Sequence, residues 1–136
     1  MRRTEVFFDT NVLLYLLSGD DARADRAEAL LAAGGVISVQ VLNEFASVAS
    51  RKLGMSWPEI REVLDMVRAV CRVEPILLET HDRGLALDER HGFSIYDSMI
   101  LASALLAGCS VLLTEDLQDG QQIDGRLTVR HPFAGD

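Results

Sequence analysis

Glu5-Val6-Phe7-Phe8-Asp9-Thr10-Asn11-Val12 is a short β-prone run that stops at a polar Asp-Thr-Asn, and an apolar segment reaching Leu17 follows it. Strand, turn and helix in that order are the opening unit of an α/β fold, and Asp9 stands where the strand finishes. Val111-Leu112-Leu113-Thr114 repeats the arrangement near the far end of the chain, a buried-type strand that leads into Glu115-Asp116. Two strands that each finish in an acid suggest a shared cleft. In open parallel sheets ligands bind beyond the carboxyl ends of the strands.

The segments between these runs alternate helix and strand. Asp21 to Ala32 carries Ala and Leu at helical spacing and stops at Gly34-Gly35, and Val36-Ile37-Ser38 is a brief second strand. Val41, Leu42, Phe45, Val48 and Ala49 then mark a helix that runs to about Lys52. Ser56-Trp57-Pro58-Glu59 has the form of a capping box with proline in the first turn, and its helix extends to about Val70. Val73 to Leu77 is a weaker strand, placed at a sheet edge because Pro75 interrupts it. Thr80 to His91 reads as a helix stopped by Gly92. Ser94 caps the most apolar helix, Ile95 to Ala107, and Leu127-Thr128-Val129 is a last strand. The pattern predicts a parallel, three-layer α/β arrangement with right-handed crossovers.

At 136 residues, with 49% hydrophobic residues, the chain suits one domain spanning 1–136. The longest apolar stretch, Met99 to Cys109, is broken by Ser103 and Gly108 and is too short for a membrane span. The N-terminal residues lack the form of a signal peptide, so a cytoplasmic protein is expected. Cys71 and Cys109 form no C-x-x-C pair and read as buried, reduced thiols. A net charge of −8 argues against binding nucleic acid through a diffuse basic surface. It leaves room for an acidic nuclease, because acids gathered around a divalent ion let the ion meet the phosphate.

Four carboxylates are the candidates for that role. Asp9 and Asp116 follow strands, although each could serve only as a helix cap or turn residue. Asp97 is centred on the stripe Ile100, Leu101, Ala104 and Gly108, where an ionised group needs a cation or hydrogen-bond donors; its place in the first helical turn offers some backbone N–H groups. Glu44 flanks the apolar face of its helix beside Val41 and Val48, and can lean over the same strand ends. Oxygen donors without Cys or His suit Mg²⁺ or Mn²⁺ rather than zinc. A cation would relieve their mutual repulsion, and attack of water on a phosphodiester is the reaction such a site performs best.

Phe8-Asp9-Thr10-Asn11, Ser38-Val39-Gln40-Val41-Leu42-Asn43-Glu44, Tyr96-Asp97-Ser98-Met99-Ile100 and Thr114-Glu115-Asp116, in this order over nearly the whole chain, resemble the PIN-domain family, and within it the VapC toxins. The resemblance implies an α/β/α sandwich with a parallel sheet of about five strands and endoribonuclease activity dependent on Mg²⁺ or Mn²⁺. It implies Asp9, Glu44, Asp97 and Asp116 as catalytic and metal-binding acids, with Asn11 and Thr114 as supporting groups that orient carboxylates or water. Asp119 competes with Asp116, because some members use an acid slightly later after that strand. It further implies an RNA substrate, a cognate antitoxin that covers the cleft and inserts a basic side chain, and a homodimer. The helix from Trp57 to Val70 is the first candidate for the dimer face.

Arg51, Lys52, Arg61, Arg68 and Arg72 are the nearest thing to a basic patch, and a pair of solvated helix faces is the simpler reading. His81, His91 and His131 fall at helix ends or in the tail and are not expected to be catalytic. A phosphatase of the haloacid-dehalogenase kind would also place an Asp after its first strand. It needs a second Asp where this chain has Asn11, and a lysine, of which Lys52 is the only one. A PIN-like module that binds RNA or protein without cutting is the other rival, and the four mutually repelling acids count against it.

Overall fold

A computed structural model of the chain describes residues 5–133. Strand β1 (Val6–Phe8) ends at Asp9, whose carboxylate accepts the Thr10 backbone N–H and caps helix α1 (Thr10–Leu14). A 3₁₀ turn (Tyr15–Leu17) prolongs α1, and Asp20 caps α2 (Asp21–Ala32) by accepting from Ala22 and Arg23. Gly34, at φ 84°, reverses the chain into β2 (Gly35–Ser38). Ser38 caps α3 (Val39–Arg51), and the expected capping box of Ser56 and Glu59 starts α4 (Trp57–Val70). Then come β3 (Cys71–Glu74), α5 (Leu78–His91) and α6 (Ile95–Leu106), the last capped by Ser94. Strands β4 (Val111–Leu113), β5 (Gln122–Ile123) and β6 (Leu127–Arg130) complete the described elements.

The sheet runs β3-β2-β1-β4-β6-β5. Strands β1, β2, β3, β4 and β6 are mutually parallel, and β5 pairs antiparallel with β6. This is the α/β fold with a parallel sheet that the alternation of elements predicts. The sixth strand is new. At two residues it is too short to leave a periodic signal, and its pairing follows from the tight reversal at Asp124 and Gly125. Strand β3 does occupy the edge, but it begins at Cys71, because α4 passes into it without a loop and Pro75 ends it instead of interrupting it.

Phe7, Phe8, Ile37, Leu101 and Leu112 are fully buried around the central strands. Helices α5 and α6 approach closely at Gly84, where an added Cβ would lie 2.7 Å from Met99 Sδ. Asp124 adopts φ 54° and accepts Arg90 at 2.7 Å, with Arg83 at 3.8 Å, so one carboxylate ties α5 to the β5–β6 hairpin. Arg72 leaves the supposed basic patch altogether. It pairs with Glu74 at 2.9 Å and Glu5 at 3.1 Å and donates to the Ala107 carbonyl. Cys71 and Cys109 are free and buried, and burial pushes their thiols up to about 11 and about 12, which leaves both protonated. Among the described residues no helix is long and apolar enough to cross a membrane.

Gly35 sets the distance between β2 and β1. A Cβ there would sit 2.5 Å from Phe8 Cε2 and 2.6 Å from the Val6 carbonyl oxygen, which is backbone and cannot step aside. Gly35→Ala is therefore expected to destabilise the fold by about 1–3 kcal/mol, measured by urea unfolding; an unchanged midpoint would mean that the two strands can separate at no cost.

Candidate active site

The strand order changes direction at β1. From there the chain moves outward to β2 and β3, then returns to lay β4 on the opposite flank of β1. Such a switch point opens a crevice at the carboxyl ends of the two diverging strands. Asp9 and Thr114 stand on either side of that crevice, because Phe8 is in register with Leu113. The Thr114 hydroxyl donates to Asp9 Oδ2 at 2.6 Å, and the Thr10 N–H donates to Oδ1 at 2.7 Å. The Asp116 N–H in turn donates to the Thr114 hydroxyl at 3.1 Å. One threonine thus orients the first acid and holds the backbone of the loop that carries the last.

Glu44 is brought to the same place by α3. Its Oε2 accepts the Thr10 hydroxyl at 2.8 Å, and its Oε1 accepts the Gln40 amide at 2.8 Å. The same Gln40 amide reaches the Tyr96 carbonyl at 3.2 Å, which ties the start of α6 to α3. Thr10 and Gln40 have no role in the sequence reading. Gln40 could have been suspected, since it lies one turn before Glu44 on the same helix face. Thr10 could not, because its partner is 34 residues away.

Asp97 sits in the first turn of α6, half-buried, with its N–H capped by Ser94 at 3.1 Å. The apolar stripe beneath it is buried as expected, with Ile100, Leu101 and Ala104 in the core. Asp116 is exposed. Asn11 is half-buried in α1 and makes no side-chain hydrogen bond to a described residue. Asp119 is exposed and accepts the His131 N–H at 2.9 Å, an engagement with the segment after β6. His131 also bonds the Leu117 carbonyl, His91 stacks on Phe93, and His81 is exposed on α5; among the described residues none of the three bonds to Asp9, Glu44, Asp97 or Asp116.

Electrostatics join the four acids more clearly than hydrogen bonds do. Burial pushes the Asp9 carboxyl up to about 6, Thr114 and Thr10 oppose the shift, and the charges of Asp116 and Glu44 add to it. Asp97 is raised by burial first and then by Asp116 and Glu44, against the hydrogen bond from Ser94. Asp116 and Glu44 therefore act on both other acids, while Asp119 acts on neither. In this arrangement no three His, Cys, Asp or Glu side chains among the described residues converge tightly enough to ligate one ion. The donor chemistry nonetheless fits a hard divalent cation, since every candidate is a carboxylate oxygen and their mutual repulsion is what a cation relieves.

The PIN domain family profile matches residues 6–119. The fold is similar to that of a chain in a toxin–antitoxin complex from Klebsiella pneumoniae, with a TM-score of 0.70 and 25% identity, covering 95% of this chain and 98% of that one. It is also similar to VapC20 of Mycobacterium tuberculosis, a toxin that cleaves the sarcin–ricin loop, with a TM-score of 0.67 and 22% identity over 82% of this chain and 92% of that one. DNA-bound VapBC from Salmonella typhimurium aligns with a TM-score of 0.70 and 18% identity, covering 96% and 99% of the two chains. No curated protein matches the sequence.

Asp9 ionises at about 6 when folded against 3.8 in its ordinary state, so folding favours its protonated form. That contribution is complete below about pH 4 and is lost as the pH rises through 6. Without divalent cations, stability should therefore fall across this window by on the order of 2–3 kcal/mol. In Asp9→Asn most of the fall should disappear. Urea midpoints at a series of pH values measure it, and an equal slope in the variant would show that Asp9 is not the group responsible.

Proposed function

Because the chain belongs to the PIN-domain family, we propose that it is a metal-dependent endoribonuclease that hydrolyses RNA phosphodiester bonds and serves as the toxin of a type II toxin–antitoxin pair. The observation that carries this reading is the buried Asp9 at the sheet's switch point, pushed up by burial and further by Asp116 and Glu44. A carboxylate in that state calls for a cation. In this reading Asp9, Glu44, Asp97 and Asp116 are the groups that would hold Mg²⁺ or Mn²⁺. When bound, the ion supplies Lewis acidity to the phosphoryl group and acidifies the attacking water.

The protein's own groups do the positioning. Thr114 and Thr10 both donate to Asp9, which favours its ionised form and fixes both of its oxygens. Thr10 and Gln40 grip the two oxygens of Glu44, so this carboxylate cannot rotate away from the crevice. Gln40 also registers the first turn of α6, and with it Asp97, against Glu44. Asp116 is open to solvent, where its carboxylate can accept the proton of an entering water while its backbone stays anchored to Thr114. The phosphorus–oxygen bond to the departing ribose breaks as water adds, and the departing oxygen takes its proton from solvent. Asn11, in the first turn of α1 next to Asp9, orients that water. Asp116 rather than Asp119 completes the set, since Asp119 is engaged by His131.

Several features support the partners. One chain in each of the toxin–antitoxin structures from Klebsiella pneumoniae and Salmonella typhimurium shares this fold over nearly its whole length. An antitoxin Arg reaching into four acids would substitute for the cation and block substrate. Met66 and Val70, exposed one turn apart on α4, present an apolar stripe that suits a covered face, which we assign to a homodimer contact. The chain acts as one domain in the cytoplasm, where RNA is present.

RNA cleavage should require Mg²⁺ or Mn²⁺, and either ion should raise the melting temperature at pH 7 in the unaltered protein but not in Asp9→Asn. Asp9→Asn and Asp97→Asn should each lower cleavage by roughly 10²-fold or more while remaining folded. Thr10→Val, which frees Glu44 without removing an acid, should cost roughly 10–100-fold in activity or metal affinity. Full activity in both Asn variants would sink the mechanism.

A further inference from the structure

Beside the carboxylates lies a second constellation that the proposed chemistry does not use. The guanidinium of Arg23 on α2 is laid over two rings, with Cζ 5.3 Å from the centre of Tyr15 and 5.4 Å from that of Phe133. The rings themselves meet edge to face at 4.7 Å. Arg23 Nη1 donates to the Tyr15 hydroxyl at 3.1 Å, and that hydroxyl donates to Glu115, the residue before Asp116. Tyr15 closes the short helix that Asp9 opens, which puts it roughly 9 Å along the axis from the first acid at 1.5 Å per residue. The cluster is therefore joined to the acidic crevice at two points, through α1 and through the loop after β4.

An arginine stacked in this way is pre-organised. Its fork is fixed before a ligand arrives, so little rotamer entropy is lost on binding. The side chain remains 50% exposed, and its Nη2 has no partner among the described residues. Its ion-pair partner among the described residues, Asp20, is 3.6 Å from Nε and 56% exposed, a pair that water weakens and that a phosphate can displace. Asp20 is already occupied in capping α2. Other cations are committed to the fold: Arg26 donates to the Pro132 carbonyl, Arg72 pairs with Glu5 and Glu74, and Arg83 and Arg90 pair with Asp124. An acidic crevice repels a polyanion on approach, so a fixed cation at its rim has a distinct use.

We propose that Arg23, seated on Tyr15 and Phe133, is a phosphate clamp that grips single-stranded RNA beside the bond to be cut. The clamp contributes to binding rather than to bond breaking, and it rests on the ribonuclease reading for the identity of its ligand. A planar fork matches two oxygens of a phosphodiester, which a lysine at the same place would meet only as a point charge.

The test compares the full-length protein with Arg23→Met, which keeps an apolar stem over the rings, and Arg23→Lys, which keeps the charge without the fork. Binding of a fluorescein-labelled single-stranded oligoribonucleotide is followed by anisotropy in Ca²⁺ over a range of salt, and cleavage kinetics are run in Mg²⁺. Arg23→Met should weaken binding about tenfold and lower the slope of log Kd against log salt by about 0.7, the share of one phosphate on a single strand. KM should rise with kcat nearly unchanged, and Arg23→Lys should recover the slope but only part of the affinity. If the unaltered protein cuts RNA and Arg23→Met leaves KM and the salt slope unchanged, the clamp is wrong and the nuclease stands. If Arg23→Met lowers kcat alone, Arg23 acts on the chemistry and the clamp is equally wrong. If the unaltered protein binds RNA without cutting it and Arg23→Met lowers the slope, the clamp stands and the nuclease reading falls. A protein that neither binds nor cuts the oligonucleotide overturns both.

Discussion

The hydrogen bond from the Thr114 hydroxyl to Asp9 spans 105 residues of sequence and joins the ends of two strands that lie side by side. It exists only because β1 and β4 pair in one register, Phe8 opposite Leu113. Displacing β4 by a single residue would turn its side chains to the other face, and Thr114 would no longer meet the acid. The same hydroxyl accepts the N–H of Asp116. Sheet register, the orientation of the first acid and the course of the loop bearing the last are therefore one constraint.

That constraint opposes stability. Asp9 is only 6% exposed, and two further acids raise its cost by repulsion. The molecule tolerates this because the strands beneath are lined with fully buried Phe7, Phe8 and Leu112, and because the local donors are already in place. Thr10 illustrates the economy of the arrangement. Its N–H serves Asp9 and its hydroxyl serves Glu44, so one residue in the first turn of α1 holds two acids that come from different elements. A buried carboxylate set among neighbours of like charge marks a functional region more often than a structural one.

Much of this was legible in the sequence. The alternation of periods gave the parallel α/β architecture, and acids at strand ends drew attention to Asp9 and Asp116. The capping signals at Ser56 and Ser94 marked helix starts correctly. What stayed hidden depended on tertiary contact. The grip of Thr10 and Gln40 on Glu44 joins residues from α1 and α3. The packing of Phe133 on Tyr15 and Arg23 brings together opposite ends of the chain. Arg72 looked like a surface cation because its partners, Glu5 and the Ala107 carbonyl, come from distant segments. Strand β5 is two residues long, below the length at which alternation can be recognised.

The two lateral borders of the sheet are finished by different means. At one side β3 carries Arg72 and Glu74 and is followed at once by Pro75; at the other, the sheet ends in the two-residue β5, whose reversal is clamped by Asp124 to Arg83 and Arg90. Neither border offers a long, flat ladder of unpaired backbone groups to another chain. A protein with a half-hydrophobic composition is thereby guarded against growth by strand addition, and the surfaces it leaves for contact are helix faces, where side chains rather than bare peptide groups choose the partner.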